Sequence, residues 1–331
     1  SPDETGQLGD MTRVISVPSL LIGLGAGLAS ALLFAALVGG SVLALPLFLL
    51  APLPIAIAAF GWGTPAGIVA SATSLAAVGL GLGLPATIAM ALADVAPVMI
   101  GAHLLGLARL SDPNDPAGRE WYPLGRVLVA LSIVVMVATI AGGVAIGFDI
   151  EETTQQVVGA YRQMMAMSRG AQGQAIDVAQ LEPYVRGTVR LMPAFFPASW
   201  LIVVVFDLWA AAKVVAKSGR LARLGDDLAA VELPTAAGLV FAAALASAFV
   251  LDGPIGTLAA VIAGTLFSAH LLVGLGIVHT IARRSEARII LLATVYGLVL
   301  LFTLPAALIA LAGLLDPHLG LRRRFGAGRP S

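Results

Sequence analysis

The chain of 331 residues has no cysteine, which excludes disulfides, thiolate metal sites and a cysteine nucleophile. Histidine is nearly absent: His103, His270, His279 and His318 are the only four. Lysine occurs twice, as Lys213 and Lys217, so arginine carries almost all the positive charge. Charged residues of both signs make up only 11% of the chain, against about 25% in a soluble domain. Nineteen basic residues balance nineteen acidic ones, which leaves no basic field for nucleic acid. The phosphate loop G-x-x-x-x-G-K-[ST] is missing, which excludes ATP hydrolysis by that route. H-E-x-x-H, G-x-S-x-G and a G-x-G-D motif within a span are missing too. The expectation is a protein that is not an enzyme and has no resident cofactor or metal.

What fills the chain instead is apolar sequence. Hydrophobic residues make up 59% and the mean hydropathy is +0.96. Stretches such as Ser19–Val38 and Gly125–Gly147 run almost without charge for about 20 residues, the length a helix needs to cross hydrocarbon. The fold class read from this is all-α: a polytopic transmembrane bundle of about nine spans. They are 19–38, 43–60, 65–82, 85–107, 125–147, 194–214, 235–251, 255–281 and 288–313. The organisation that follows is a polar segment 1–18, five spans in 19–147, an extramembrane stretch 148–193, four spans in 194–313 and a tail 314–331. Met11 is an alternative natural start, which would make residues 1–10 an extension. Short links containing Gly39-Gly40, Gly61-Trp62-Gly63 and Gly83-Leu84-Pro85 make neighbouring spans antiparallel.

The stretch 148–193 is patterned rather than random. Asp149 with Glu152 resembles a helix-starting capping box. Val157, Val158, Tyr161, Met164, Met165 and Ser168 then share one helical face, and Gly170-Ala171-Gln172-Gly173 breaks the helix. Leu181, Val185, Val189 and Met192 form a second stripe. This spacing predicts an amphipathic helical hairpin outside the membrane, either a packed connector or a lid. Arginine and lysine cluster at 109–126, 213–223 and 283–288, which places those loops in the cytoplasm and the hairpin outside. Arg322-Arg323-Arg324 disagrees with that orientation.

Three features carry candidate function. Gly23, Gly27, Ala31, Ala35 and Gly39 recur every four residues in the first span, the spacing of a close helix contact. That contact is either packing within the chain or a docking face for another membrane subunit. Pro46, Pro52 and Pro54 predict a bent or broken second span. Asp94, Asp207 and His270 lie inside spans, where a charge costs about 3 kcal/mol on insertion scales. They are therefore either neutral structural groups or contacts to a small-molecule ligand. Pro97 lacks an N–H, so the carbonyl of Ala93 is expected to lose its helical partner beside Asp94.

The end of the chain carries a resemblance. Gly276-Ile277-Val278-His279, then Gly313-Leu314-Leu315-Asp316, then Pro317–Leu321 and the run Arg322-Arg323-Arg324 resemble the YybS-like family of bacterial inner-membrane proteins of uncharacterised function. The resemblance implies a fold similar to the S components of energy-coupling-factor transporters. Those proteins bind a small molecule and dock on a separate membrane subunit. What it implies here is a multi-pass protein of the bacterial inner membrane. Such a protein is a ligand-binding or transport component without its own ATPase. The alternative is a non-transporting scaffold or regulator that binds other membrane subunits.

Overall fold

The computed structural model describes residues 16–112, 115–168, 178–223, 231–283 and 285–321. The polar start at 1–10, the Gly170–Gly173 break and the Arg322–Arg324 run lie outside the described residues. The chain divides into two compact units. One comprises Ser1–Pro123 and Val203–Asp226, the other Leu124–Ile202 and Asp227–Ser331. Helix dominates both, as the apolar runs predict. Among the described residues, seven helices are long and apolar enough to cross a membrane, and an eighth span exists if one bent pair is counted as one.

In the first unit, α1 (Val17–Ala35) packs along α4 (Thr64–Leu82). The glycine spacing explains the contact. A Cβ on Gly23 would fall 2.7 Å from Val69 Cβ, and one on Gly27 would run into the Ala70 carbonyl. Ala31 continues the buried stripe against Val78 and Met90. Ala35 is only half buried, and Gly39 faces open space. The small-residue stripe is therefore used within the chain over Gly23, Gly27 and Ala31, where a docking face for another subunit was the alternative.

The second span is broken, as its prolines predict. It consists of α2 (Ala44–Leu49) and α3 (Leu53–Trp62), with tight turns between. The buried hydroxyl of Ser30 on α1 donates to the Ala51 carbonyl at 2.6 Å, satisfying an acceptor at the break. Gly63 and Gly83 form the links to α4 and to α5 (Leu84–Met90). Both have φ of 86°, a conformation L side chains rarely adopt, with prolines in the first turn that follows. A short hairpin of β1 (Ala108–Asp112) and β2 (Asp115–Trp121) follows α6 (Ala96–Gly106). Sequence periodicity did not predict it. Beyond the end of α9 (Val178–Lys217), Arg223 donates to the Tyr122 carbonyl at 2.9 Å, and Arg220 lies over the Trp62 ring.

In the second unit, α7 (Leu124–Ala145) is a full span, and α8 (Ile150–Ser168) is amphipathic. The Glu152 N–H donates to the Asp149 carboxylate at 2.9 Å, the cap the sequence predicted. The buried face of α8 is set by Thr154 and Val158, with Tyr161 and Met165 half buried. Val157 and Met164 lie on the exposed side, a rotation of the expected stripe.

The boundary expected at 193/194 is not there. α9 runs unbroken for 40 residues through Pro193 and Pro197, and its apolar part begins at Leu181. Proline is tolerated inside such helices where neighbours satisfy the freed carbonyls.

The guanidinium of Arg186 pairs with Glu151 and, at 2.9 Å, with Glu182. The Gln155 amide and then Arg186 hold the Glu151 carboxyl below its ordinary value. A depressed carboxylate stabilises the fold at pH above its unfolded value of about 4.3, and the contribution is lost as pH falls through the lower folded value. Relative to their intrinsic exchange rates, the amides of α8 should therefore lose protection in acid, below about pH 4.3. In Arg186→Gln that acid step should shrink. An α8 exchange profile indifferent to both would remove the ion pair from the account.

The last part of the chain departs from nine full spans. α10 (Thr235–Val250) has only 16 residues, about 24 Å of helix, short of the roughly 30 Å of hydrocarbon. α12 (Arg288–Leu301) and α13 (Thr303–Leu319) are bent by 113° at Phe302 and do not form one straight span. Both α10 and α13 pack on α11 (Gly253–Ala282), which at 30 residues is about 45 Å long.

Candidate functional site

Two groups of residues stand out, one in each unit. The first is built around Asp94. The segment Ala91–Val95 is a π-helical turn between α5 and α6, closed by the Ala96 N–H donating to the Ala91 carbonyl. Such one-turn widenings occur mostly where a helix serves a site. Pro97 follows in the first turn of α6. Ala93 keeps an interaction partner.

Asp94 is completely buried, and so is Asp207 on α9. Among the described residues, none of the four carboxyl oxygens has a hydrogen-bond partner. The two groups are close enough to feel each other's charge. The structure thus brings together two of the three ionisable residues singled out in the sequence, from segments far apart in the chain. Neither lines a described cavity. His103, on the same helix as Asp94, is exposed.

The second group is centred on His270, slightly past the middle of α11. The ring is 2% exposed. Its Nδ1 lies 2.8 Å from the Leu266 carbonyl, which only accepts, so Nδ1 carries the proton. In the neutral ring Nε2 is then an acceptor. Phe241 of α10 stacks on the imidazole at 5.4 Å.

Three glycines determine what surrounds it. A Cβ on Gly313 would strike the His270 carbonyl, and one on Gly274 would strike the Ile309 carbonyl, so α13 crosses α11 backbone to backbone. From 309 beside 274 to 313 beside 270, α13 runs antiparallel to α11 and ends near its middle. α10 runs antiparallel to α11 from the other end, with Phe241 and Ala244 against Ala263 and Leu266. Its first turn therefore also lies at the middle of α11, where a Cβ on Gly238 would meet Leu314 and come within 3.8 Å of His270 Nε2.

The N-terminus of α10 and the C-terminus of α13 thus face each other across His270. Between them is a half-open pocket of about 180 Å³, lined by Leu233, Pro234, Thr235, Leu239, Leu314 and His270 among others. Its wall is apolar except for His270, Thr235, His318 and the helix ends. Helices that end within a bundle beside a buried polar group are similar to the discontinuous helices that hold ligands in transporters. The first turn of α10 offers N–H groups without intrahelical acceptors, and its dipole favours negative charge there.

The sequence pointed to His270 but not to Gly238, Gly274 or Gly313. Pro234 before a run only 16 residues long was the available sign of a helix starting within the bundle. Among the described residues no cluster of His, Asp or Glu could hold a metal ion. The geometry defines the class: a multi-pass helical membrane protein with a pocket where the ends of two short helices meet. No family model matches the chain, and neither the curated proteins nor the solved structures contain a match to it.

Proposed function

We propose that this chain is a small-molecule-binding or transport component of the bacterial inner membrane that lacks its own ATPase. The observation that carries the reading is the cavity at His270, where the ends of α10 and α13 converge. Its volume and apolar wall suit a small, mostly apolar molecule with one polar head. That head meets His270 Nε2 and the first N–H groups of α10. The resemblance to YybS-like proteins and to S components supports the same reading. The scaffold alternative has less support, because Gly23 and Gly27 are occupied by α4.

Native mass spectrometry of the purified protein tests this. Wild type should carry a small molecule, and Gly238→Leu should lose it, because the new side chain enters the cavity beside His270. A chain that carries no small molecule at any detergent concentration that preserves its fold would move the reading to the scaffold.

Orientation is part of the proposal: α8 lies outside the cytoplasm. Ala160→Cys, exposed on α8 in a cysteine-free chain, should react with an impermeant thiol reagent on intact cells. Labelling only after the membrane is opened would reverse the orientation.

A further inference from the structure

We propose that Asp94 and Asp207 form an intramembrane proton-binding pair that takes up and releases a proton as the protein works. The pair would couple the protein to a proton gradient across the membrane, which supplies the driving force. The inference is independent of the His270 cavity and stands whatever that cavity holds.

The first support is the absence of any partner. All four carboxyl oxygens are buried and have no hydrogen-bond partner among the described residues. Buried polar groups that serve only structure are nearly always hydrogen-bonded, and those that are not call for a functional reason. The second support is the charge inventory around the pair. α1, α2, α3, α4 and α5 contain no acidic or basic residue. α6 contributes only His103, which is exposed. On the part of α9 in this unit, Lys213 and Lys217 are exposed, and Arg220 lies over Trp62 beyond the helix end. Among the described residues of these helices, no buried cation accompanies Asp94 or Asp207.

Two carboxylates cannot both hold a charge under these conditions. One buried charge at mid-span already costs about 3 kcal/mol, and two like charges within reach of each other add repulsion. A proton bound at either residue removes one of the two charges. This is the arrangement that lets paired aspartates titrate in two separate steps. Asp94 lies in the π-helical turn at Ala91–Val95, a widening frequent at functional sites.

The test is infrared difference spectroscopy of the full chain in phosphatidylcholine vesicles. The pH is stepped through neutrality without sodium, and sodium is then added at fixed pH. Wild type should show the carbonyl band of a protonated carboxylic acid, decreasing as pH rises. Asp94→Asn and Asp207→Asn should each remove part of it, and the double variant all of it. Absence of the band over the whole range overturns the proposal. A band that sodium abolishes at fixed pH overturns it in favour of a cation site. A band that never responds to pH overturns it in favour of a permanently neutral structural pair. If a variant fails to fold, the wild-type band and its response to pH and sodium still decide.

Discussion

Gly274→Leu and Gly313→Leu should each lower the stability of the protein in detergent by about 3 kcal/mol or more and empty the His270 cavity together with it. At both positions even a Cβ would collide with backbone, the Ile309 carbonyl in one case and the His270 carbonyl in the other. Backbone cannot rotate aside as a side chain can, so α13 must move away from α11. Overpacking in cores usually costs about 1–3 kcal/mol, and the cost is larger where only a helix shift relieves it. Because the C-terminus of α13 forms one wall of the cavity, the same shift separates it from α10. Gly297→Ala on α12 is the control. A Cβ there meets nothing, and replacing a helical glycine should be neutral or stabilising by about 0.5–1 kcal/mol. Thermal unfolding of the variants, read alongside native mass spectra, checks both effects. A Gly313→Leu protein as stable as wild type would remove the close crossing from the account.

The same contacts explain which parts of the architecture were legible in the sequence. Apolarity and length predicted the spans up to α7, and proline chemistry predicted the break between α2 and α3. The conformation that Gly63 and Gly83 supply fixed the turns on either side of α4, and Asp149 marked the start of α8. These features are local, so a window of sequence contains them.

What was not legible depends on distant partners. Polarity changes at 193/194, but backbone hydrogen bonding does not depend on polarity, so α9 continues through Pro193 and Pro197. Residues 235–251 and 288–313 are apolar enough to be read as full spans. Only their register on α11, set by Gly274 and Gly313, shows that α10 and α13 meet halfway. Asp94 and Asp207 were singled out one at a time because each is costly in a span. Their proximity is a tertiary fact that no spacing in the chain encodes.

That proximity has a thermodynamic consequence. Asp207→Val should raise the unfolding temperature, and adding Asp94→Val should raise it further. An unpartnered buried polar group destabilises the fold by about 1–3 kcal/mol, and replacing it with an apolar group of similar size removes that penalty. Breaking a satisfied ion pair has the opposite effect, because it leaves a charge stranded. Here nothing is stranded, since neither carboxyl has a basic partner among the described residues. The first replacement also removes the like charge that faces Asp94. Function should fall as stability rises, the trade found where a site keeps a group the fold alone would not choose. The check is thermal unfolding of both variants in one detergent, with helical content measured at the start. A single replacement that lowered stability by more than about 1 kcal/mol would mean that Asp207 has a structural partner. The destabilised-carboxyl account of the first unit would then fail.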